Sequence, residues 1–121
     1  MTAWAIDVSP EGTQIAAIRS PEGPIYIFSL AGQSTQIIKV KHWSNLRTVN
    51  WAADGKGLYV VSSNGSGSVR EGILLSVDLH GNARALWEHA SIQGMSASPD
   101  GRHLAMVRPI AESNIWMLEN F

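Results

Sequence analysis

The sequence predicts an all-β fold in which one antiparallel, four-stranded sheet is repeated about three times. Three observations predict it: a hairpin signal that recurs at a near-constant spacing, short apolar runs rich in β-branched and aromatic residues, and the lack of helical periodicity. The chain has 121 residues, of which 45% are hydrophobic and 16% are charged. This length corresponds to one ordinary domain, and the hydrophobic content is too high for a disordered chain.

The recurring signal is a four-residue turn that ends in glycine. The turns read SPEG, AADG and SPDG, and their last residues are Gly12, Gly55 and Gly101. Pro10 and Pro99 preset φ for the second position of a type I turn, and glycine accepts the positive φ that follows. We therefore expect three hairpin loops of the same kind. The three glycines are 43 and 46 residues apart, a period typical of propeller blades and of helical solenoids.

The segments around the turns decide between these two architectures. Each hairpin is followed by a third apolar run (PIYIFSL, GILLSVDL and SNIWMLENF), and twice by a fourth segment (TQIIKV and ARALWEH). No stripe with a 3.6-residue period persists for ten residues, which excludes helical repeats. Nearly continuous apolar runs indicate strands covered on both faces, as in four-stranded sheets stacked around an axis. The sequence therefore predicts one propeller-type domain over residues 1–121, with blades at about 3–41, 46–89 and 92–121, the last incomplete.

These segments resemble a known family. SPDGRHLA followed by NIWMLENF, with the variants SPEGTQIA and ADGKGLYV, is similar to the WD40-like (PD40) repeats of TolB-type β-propellers. The resemblance covers nearly the whole chain, and it departs where AADG replaces Ser-Pro by Ala52 and Ala53. It implies a scaffold that binds other proteins, often beside a peptidase, kinase or DNA-binding domain, and rings of six or more blades. It transfers no catalytic residue, because the matching positions are turn and core positions.

Three blades form an open stack, and this predicts a homo-oligomer. The first and last blades each expose an apolar sheet face. If each face leaves roughly 400 Å² of apolar surface in water, the lost stabilisation is on the order of 10 kcal/mol per face. A domain has a total stability of only about 5 to 15 kcal/mol. We therefore expect a homodimer in which three plus three blades close a six-bladed ring, or a longer propeller of which this chain is a part.

Loops at one rim are the predicted surface for a protein partner. The connections between second and third strands fall together there with the crossing KVKHWSN between the first two blades. Polar and aromatic side chains in these loops suit protein recognition, although ordinary solvated loop charge, with Trp43 packed between blades, is the alternative. The candidate residues are Arg19, His42, Trp43, Arg70, Glu71 and Arg108.

A ring of polar residues on the inner strands is the second candidate site. Asp7, Asn50 and Ser96 each stand five residues before a turn glycine, so they could line a central channel that binds a small molecule or a glycan. The alternative is hydrogen bonding between adjacent blades.

Asp54 and Asp100 occupy the same turn position in successive blades and are expected to shape turns far apart from each other. The five tryptophans are expected in the blade cores.

Other functional classes lack a signal. The chain has no Cys, and its four His show no metal-binding spacing, so we expect no metal site. No G-x-S-x-G elbow is present, and the NGSGS segment fits a flexible insertion better than a phosphate loop. We expect no enzyme activity, no catalytic residue and no cofactor. A formal net charge of −1 does not favour nucleic acid, and no apolar run is long enough for membrane insertion. The N-terminal segment has no signal-peptide pattern, so a cytoplasmic location is the default expectation.

Overall fold

The computed structural model describes residues 3–20, 24–32, 34–43, 45–63, 72–87, 94–108 and 114–119. These residues form eleven β-strands and no helix, which confirms the predicted all-β class. The strands group into three antiparallel sheets, and within each sheet neighbours along the chain are neighbours in space. Where the described residues include a short turn, that turn returns the chain beside the strand that it has just left.

The eleven strands are divided among three sheets, which we number in chain order. Sheet 1 contains β1 (Ala3–Val8), β2 (Gln14–Ser20), β3 (Ile25–Ser29) and β4 (Thr35–Ile38). Sheet 2 contains β5 (Leu46–Trp51), β6 (Gly57–Ser63), β7 (Gly72–Asp78) and β8 (Ala83–Trp87). In the described part of the chain, sheet 3 contains three strands, β9 (Gly94–Ala97), β10 (His103–Arg108) and β11 (Asn114–Glu119). The inner strands of neighbouring sheets adjoin, since β5 contacts both β1 and β9.

The first hairpin of each sheet has the same turn. Gly12, Gly55 and Gly101 have φ of 76°, 71° and 74°, the left-handed conformation expected of them. Each glycine N–H donates to the carbonyl oxygen three residues earlier, at 2.9 to 3.0 Å, which closes a type I turn. We call the end of the inner strands that carries these turns the turn end. The opposite end, where β2, β6 and β10 finish, is the loop end.

A serine hydroxyl supports two of the three turns. Ser9 is buried, and its Oγ accepts hydrogen bonds from the backbone N–H groups of Thr13 and Gln14, at 3.2 and 3.0 Å. Ser98 Oγ accepts from the backbone N–H of His103 at 3.1 Å. Ala52 holds this position in sheet 2 and has no hydroxyl. The departure of AADG from the repeat therefore removes one acceptor from the middle turn.

Exchanging serine and alanine at this position is expected to change stability in opposite directions. Ala52→Ser restores an acceptor to the middle turn and should raise the free energy of unfolding by about 0.5 to 1.5 kcal/mol. Ser9→Ala removes the acceptor of the Thr13 and Gln14 N–H groups and should lower it by about 0.5 to 1.5 kcal/mol. Urea denaturation followed by circular dichroism measures both variants. Equal effects of the two substitutions, in the same direction, would contradict this account of the turn.

Each sheet has two faces that differ in role. The front face carries the residue four positions before the turn glycine, which is Val8, Trp51 or Ala97 in sheets 1, 2 and 3. The back face carries the residue five positions before it. Strand register extends the assignment across each sheet, because paired residues point to the same side.

The sheets stack with a front face on a back face. The larger core cluster lies between the back of sheet 1, including Ala16, Ile18 and Ile25, and the front of sheet 2, including Val60 and Leu75. A smaller cluster joins the back of sheet 2 to the front of sheet 3 through buried Val61, Leu74 and Leu104. Both faces of sheet 2 are thus covered, which explains the continuous burial of Ile73, Leu74 and Leu75 along β7.

The expectation that all five tryptophans belong to blade cores is wrong for one of them. Trp51 is buried, and Trp43 and Trp87 are half-buried against the two core clusters. Trp4, however, is 53% exposed on the front face of sheet 1. By strand register Trp4 corresponds to Leu46, which is buried in sheet 2, but no sheet formed by the described residues covers Trp4. The side chain of Trp116 lies outside the described residues.

Candidate functional site

The polar residues of the inner strands meet at a single cleft. Asp7, Asn50 and Ser96 line a cavity of about 370 Å³ together with turn residues such as Pro10 and Pro99. We call this cavity the inner cleft. It lies at the turn end, because its lining combines the ends of β1, β5 and β9 with the residues that follow them. The three positions that the sequence selected as channel-lining are therefore adjacent in space.

Asp7 ties sheet 1 to sheet 2. Its Oδ2 accepts a hydrogen bond of 2.8 Å from the backbone N–H of Trp51, and its carbonyl oxygen accepts one of 3.0 Å from the Trp51 indole Nε1. The N–H of Ala52 donates to the carbonyl oxygen of Gly57, so the adjacent pair, Trp51 and Leu58, is a non-hydrogen-bonded pair. The Trp51 N–H therefore points away from β6 and can donate to Asp7. Asp7 thus forms hydrogen bonds between adjacent blades, which is the alternative role of the polar ring. Asn50 has an interaction partner as well.

Asp54 and Asp100 are neighbours, which corrects the expectation that they lie far apart. Both line a second cavity, of about 340 Å³, which Tyr59 also lines. The corresponding turns of sheets 2 and 3 lie side by side because the two sheets stack in the same orientation. A Cβ added at Gly101 would accordingly contact Ala53 at 3.7 Å. Partial burial, and then the nearby Asp54 carboxylate, raises the pKa of Tyr59.

Both carboxylates shape turns, as the sequence predicts. Asp54 Oδ1 accepts from the backbone N–H of Lys56 at 2.9 Å. Asp100 Oδ1 accepts from the Ser98 hydroxyl and from the backbone N–H of Arg102. These two hydrogen bonds, the first more than the second, lower the pKa of Asp100. Hydrogen bonds that favour the charged form keep the carboxylate ionised, which suits an acceptor and not a general acid.

The residues predicted to bind a partner differ in burial where the structure describes them. Arg19 is exposed on β2, where it pairs with Trp4. His42 is exposed in the crossing and has a φ of 68°. Trp43 packs against the core between sheets 1 and 2, as the alternative interpretation of it expected.

Three further candidates are defined by position only. Arg108 ends β10 and pairs with Asn114, and its side chain lies outside the described residues. Arg70 and Glu71 also lie outside them. The register places Arg19 and Arg108 at the loop end of sheets 1 and 3, with sheet 2 between them. The inner cleft is at the opposite end, so the two candidate sites are separate.

The described residues contain no group of three or more His, Cys, Asp or Glu that could hold a metal ion. They also form no helix with the length and hydrophobicity needed to traverse a bilayer.

Sequence reasoning missed Trp51 as the residue that joins two sheets. The available signal was its register, because Trp51 directly follows a polar position and is the only bulky aromatic residue four positions before a turn glycine. An aromatic residue with an N–H group at an inner-strand position indicates a hydrogen bond across the stack.

Comparison with known proteins identifies the fold. No protein-family model and no curated protein matches the sequence. A putative TolB from Agrobacterium tumefaciens superposes with a TM-score of 0.71 and 16% identity, over 98% of this chain and 43% of that one. TolB from Acinetobacter baumannii gives 0.67 and 21%, over 96% of this chain and 29% of that one. A prolyl endopeptidase gives 0.69 and 15%, over 98% and 20%.

These structures confirm the predicted fold: the three sheets are stacked blades of a β-propeller. This chain spans less than half the length of each of the three neighbours. The similarity extends to the sheets and their stacking.

Proposed function

We propose that the chain is a non-catalytic propeller scaffold that binds a protein partner at its loop end. The observation that carries this proposal is the contrast between the two ends of the inner strands. At the turn end, the connections β1–β2, β5–β6 and β9–β10 each have five residues. At the loop end, the connections β2–β3, β6–β7 and β10–β11 have four, eight and five residues. Connections of unequal length on a repeated scaffold are a usual place for recognition.

The chemistry of the two ends supports the same assignment. At the turn end, the carboxylates of Asp54 and Asp100 are engaged within their own turns. The loop-end connections instead contribute Arg70, Glu71 and the residues after Arg108. Arginine is enriched among interface residues that dominate binding energy, because its guanidinium combines charge with a flat apolar surface.

A second candidate function is binding of a small molecule or glycan in the inner cleft. Its volume of about 370 Å³ falls within the roughly 300 to 1,000 Å³ of small-molecule sites. Asn50 and Ser96 supply polar groups there, but the Asp7 carboxylate already accepts the Trp51 N–H. The loop end is therefore favoured. The prolyl endopeptidase neighbour supports a related alternative, in which these blades are an accessory portion of a larger protein.

Peptide selection tests the proposal. A displayed random peptide library is panned on the purified chain, and the selected peptides are measured by isothermal titration calorimetry. Arg70→Glu should weaken binding by roughly tenfold or more. Lys56→Glu makes the same charge change at an exposed turn-end position and should leave the affinity unchanged.

Two outcomes would count against a loop-end interface. One is a set of peptides whose binding is lost in Lys56→Glu but kept in Arg70→Glu. The other is failure to select any peptide, together with thermal stabilisation by a mono- or disaccharide that Asn50→Ala abolishes. The second result would place the function in the inner cleft.

A further inference from the structure

The front face of sheet 1 is an apolar surface in contact with water. Its exposed side chains include Ile6 at 65%, Ile37 at 56% and Val8 at 51%. Trp4 and Phe28 flank Tyr26 on the same face. Their ring centroids lie 5.9 and 6.2 Å, respectively, from the ring centroid of Tyr26. Register assigns all of these residues to one side of the sheet, because Trp4, Ile6 and Val8 alternate with back-face residues along β1.

The same positions of the repeat are buried in sheet 2. Val49 and Trp51, the equivalents of Ile6 and Val8, are each 4% exposed. The back face of sheet 1 covers them, and the contact is part of the larger core cluster. The front face of sheet 1 therefore has the apolar composition of a face that packs against a back face.

The backbone N–H of Val8, near the end of β1, is a polar group at the edge of this sheet. Ser9 N–H bonds to Gln14, so Val8 and Ile15 form a non-hydrogen-bonded pair and the Val8 N–H points away from β2. The equivalent N–H of Trp51 is bound by the carboxylate of Asp7 from the neighbouring back face. A surface that covers sheet 1 should accordingly bring an acceptor to the Val8 N–H.

The chain itself carries a back face of this kind on sheet 3. Ser96 holds the position of Asp7, is exposed, and pairs with Ala105, which holds the position of Ala16. The Ser96 hydroxyl is an acceptor at the required place in the repeat. Small Ala105 matches the buried Ala16, over which the front of sheet 2 packs.

We propose that a second copy of this chain covers the front face of sheet 1 with the back face of its sheet 3. A two-fold axis forms this contact twice, because each copy supplies one front and one back face. The five exposed front-face side chains present roughly 500 Å² if full areas are about 150 to 250 Å². Two such contacts bury on the order of 1,000 Å² per copy, which meets the roughly 800 Å² per partner of a stable interface. This inference is independent of the loop-end function.

Sedimentation of the whole 121-residue chain tests the proposal. At about 10 µM the expected mass is twice the monomer mass of 13.1 kDa. Ile6→Asp buries a charge in the proposed contact and should raise the dimer dissociation constant at least 100-fold. Ala85→Asp places the same charge on an exposed strand position of sheet 2 and should leave the dimer intact. Circular dichroism checks that both variants fold.

A mixing experiment separates front-on-back contact from front-on-front contact. Ser96→Arg should also weaken the dimer, since it changes the back face. Mixing Ile6→Asp with Ser96→Arg should restore dimers, because the mixed pair keeps one unaltered front-on-back contact. A monomer for the wild-type chain, or an intact Ile6→Asp dimer, would overturn the proposal. So would a Ser96→Arg variant that dimerises normally, because this outcome indicates that two front faces meet.

Discussion

Replacement of Trp51 by alanine is expected to lower the free energy of unfolding by about 3 to 5 kcal/mol. Trp51 is almost fully buried between sheets 1 and 2. Alanine leaves a cavity there, and it also removes the indole N–H that bonds to the Asp7 carbonyl oxygen. Urea denaturation followed by far-ultraviolet circular dichroism gives the difference, since a fluorescence signal would change with the tryptophan itself.

Two variants separate the parts of this effect. Trp51→Phe keeps most of the apolar volume and loses the indole hydrogen bond, so about 1 to 3 kcal/mol should be lost. Trp4→Ala removes the same side chain from the exposed front face of sheet 1. Measured in the Ile6→Asp background, where the proposed dimer is broken, its cost should be clearly smaller than that of Trp51→Ala. Equal losses at Trp4 and Trp51 would contradict the assignment of Trp51 to the contact between sheets.

Replacement of Gly81 by alanine is expected to destabilise the chain by about 3 kcal/mol or more. Gly81 lies in the β7–β8 turn and has a φ of 91°. Its carbonyl oxygen accepts the Lys41 N–H at 3.0 Å, and a Cβ at this position would overlap the carbonyl oxygen of Lys39. Alanine therefore adds backbone strain and forces apart the segment after β4 and the sheet 2 turn.

Two other glycines provide matched controls for this effect. Gly12 has a φ of 76° but open space where a Cβ would lie, so Gly12→Ala should cost only the strain, about 1 to 2 kcal/mol. A Cβ at Gly32 would make ordinary contacts of 3.7 Å, and Gly32→Ala should be nearly neutral. All three are measured by urea denaturation. If Gly81→Ala cost no more than Gly12→Ala, the predicted overlap with Lys39 would not be important in solution.

The candidate sites were predictable to different degrees. Asp7, Asn50 and Ser96 were found from one offset relative to the turn glycine, and the structure brings them to one cleft. The offset could not indicate that the Asp7 carboxylate would be engaged by Trp51, because that contact joins residues 44 positions apart. Trp43 was open to two interpretations for the same reason. Its burial depends on how the crossing packs against the sheets, and no local pattern describes that.

Local patterns along the chain were sufficient to predict the strands and the hairpins. Turn residues and alternation act over a few positions, so Gly12, Gly55 and Gly101 each repeat the same local geometry. Which face of one sheet meets which face of the next is set by the packing of the folded chain. That choice brought Asp54 beside Asp100, buried Trp51 and left Trp4 in water. The physical reason is that period-two patterning assigns residues to two sides of a sheet, while the partner of each side is set by packing between distant parts of the chain.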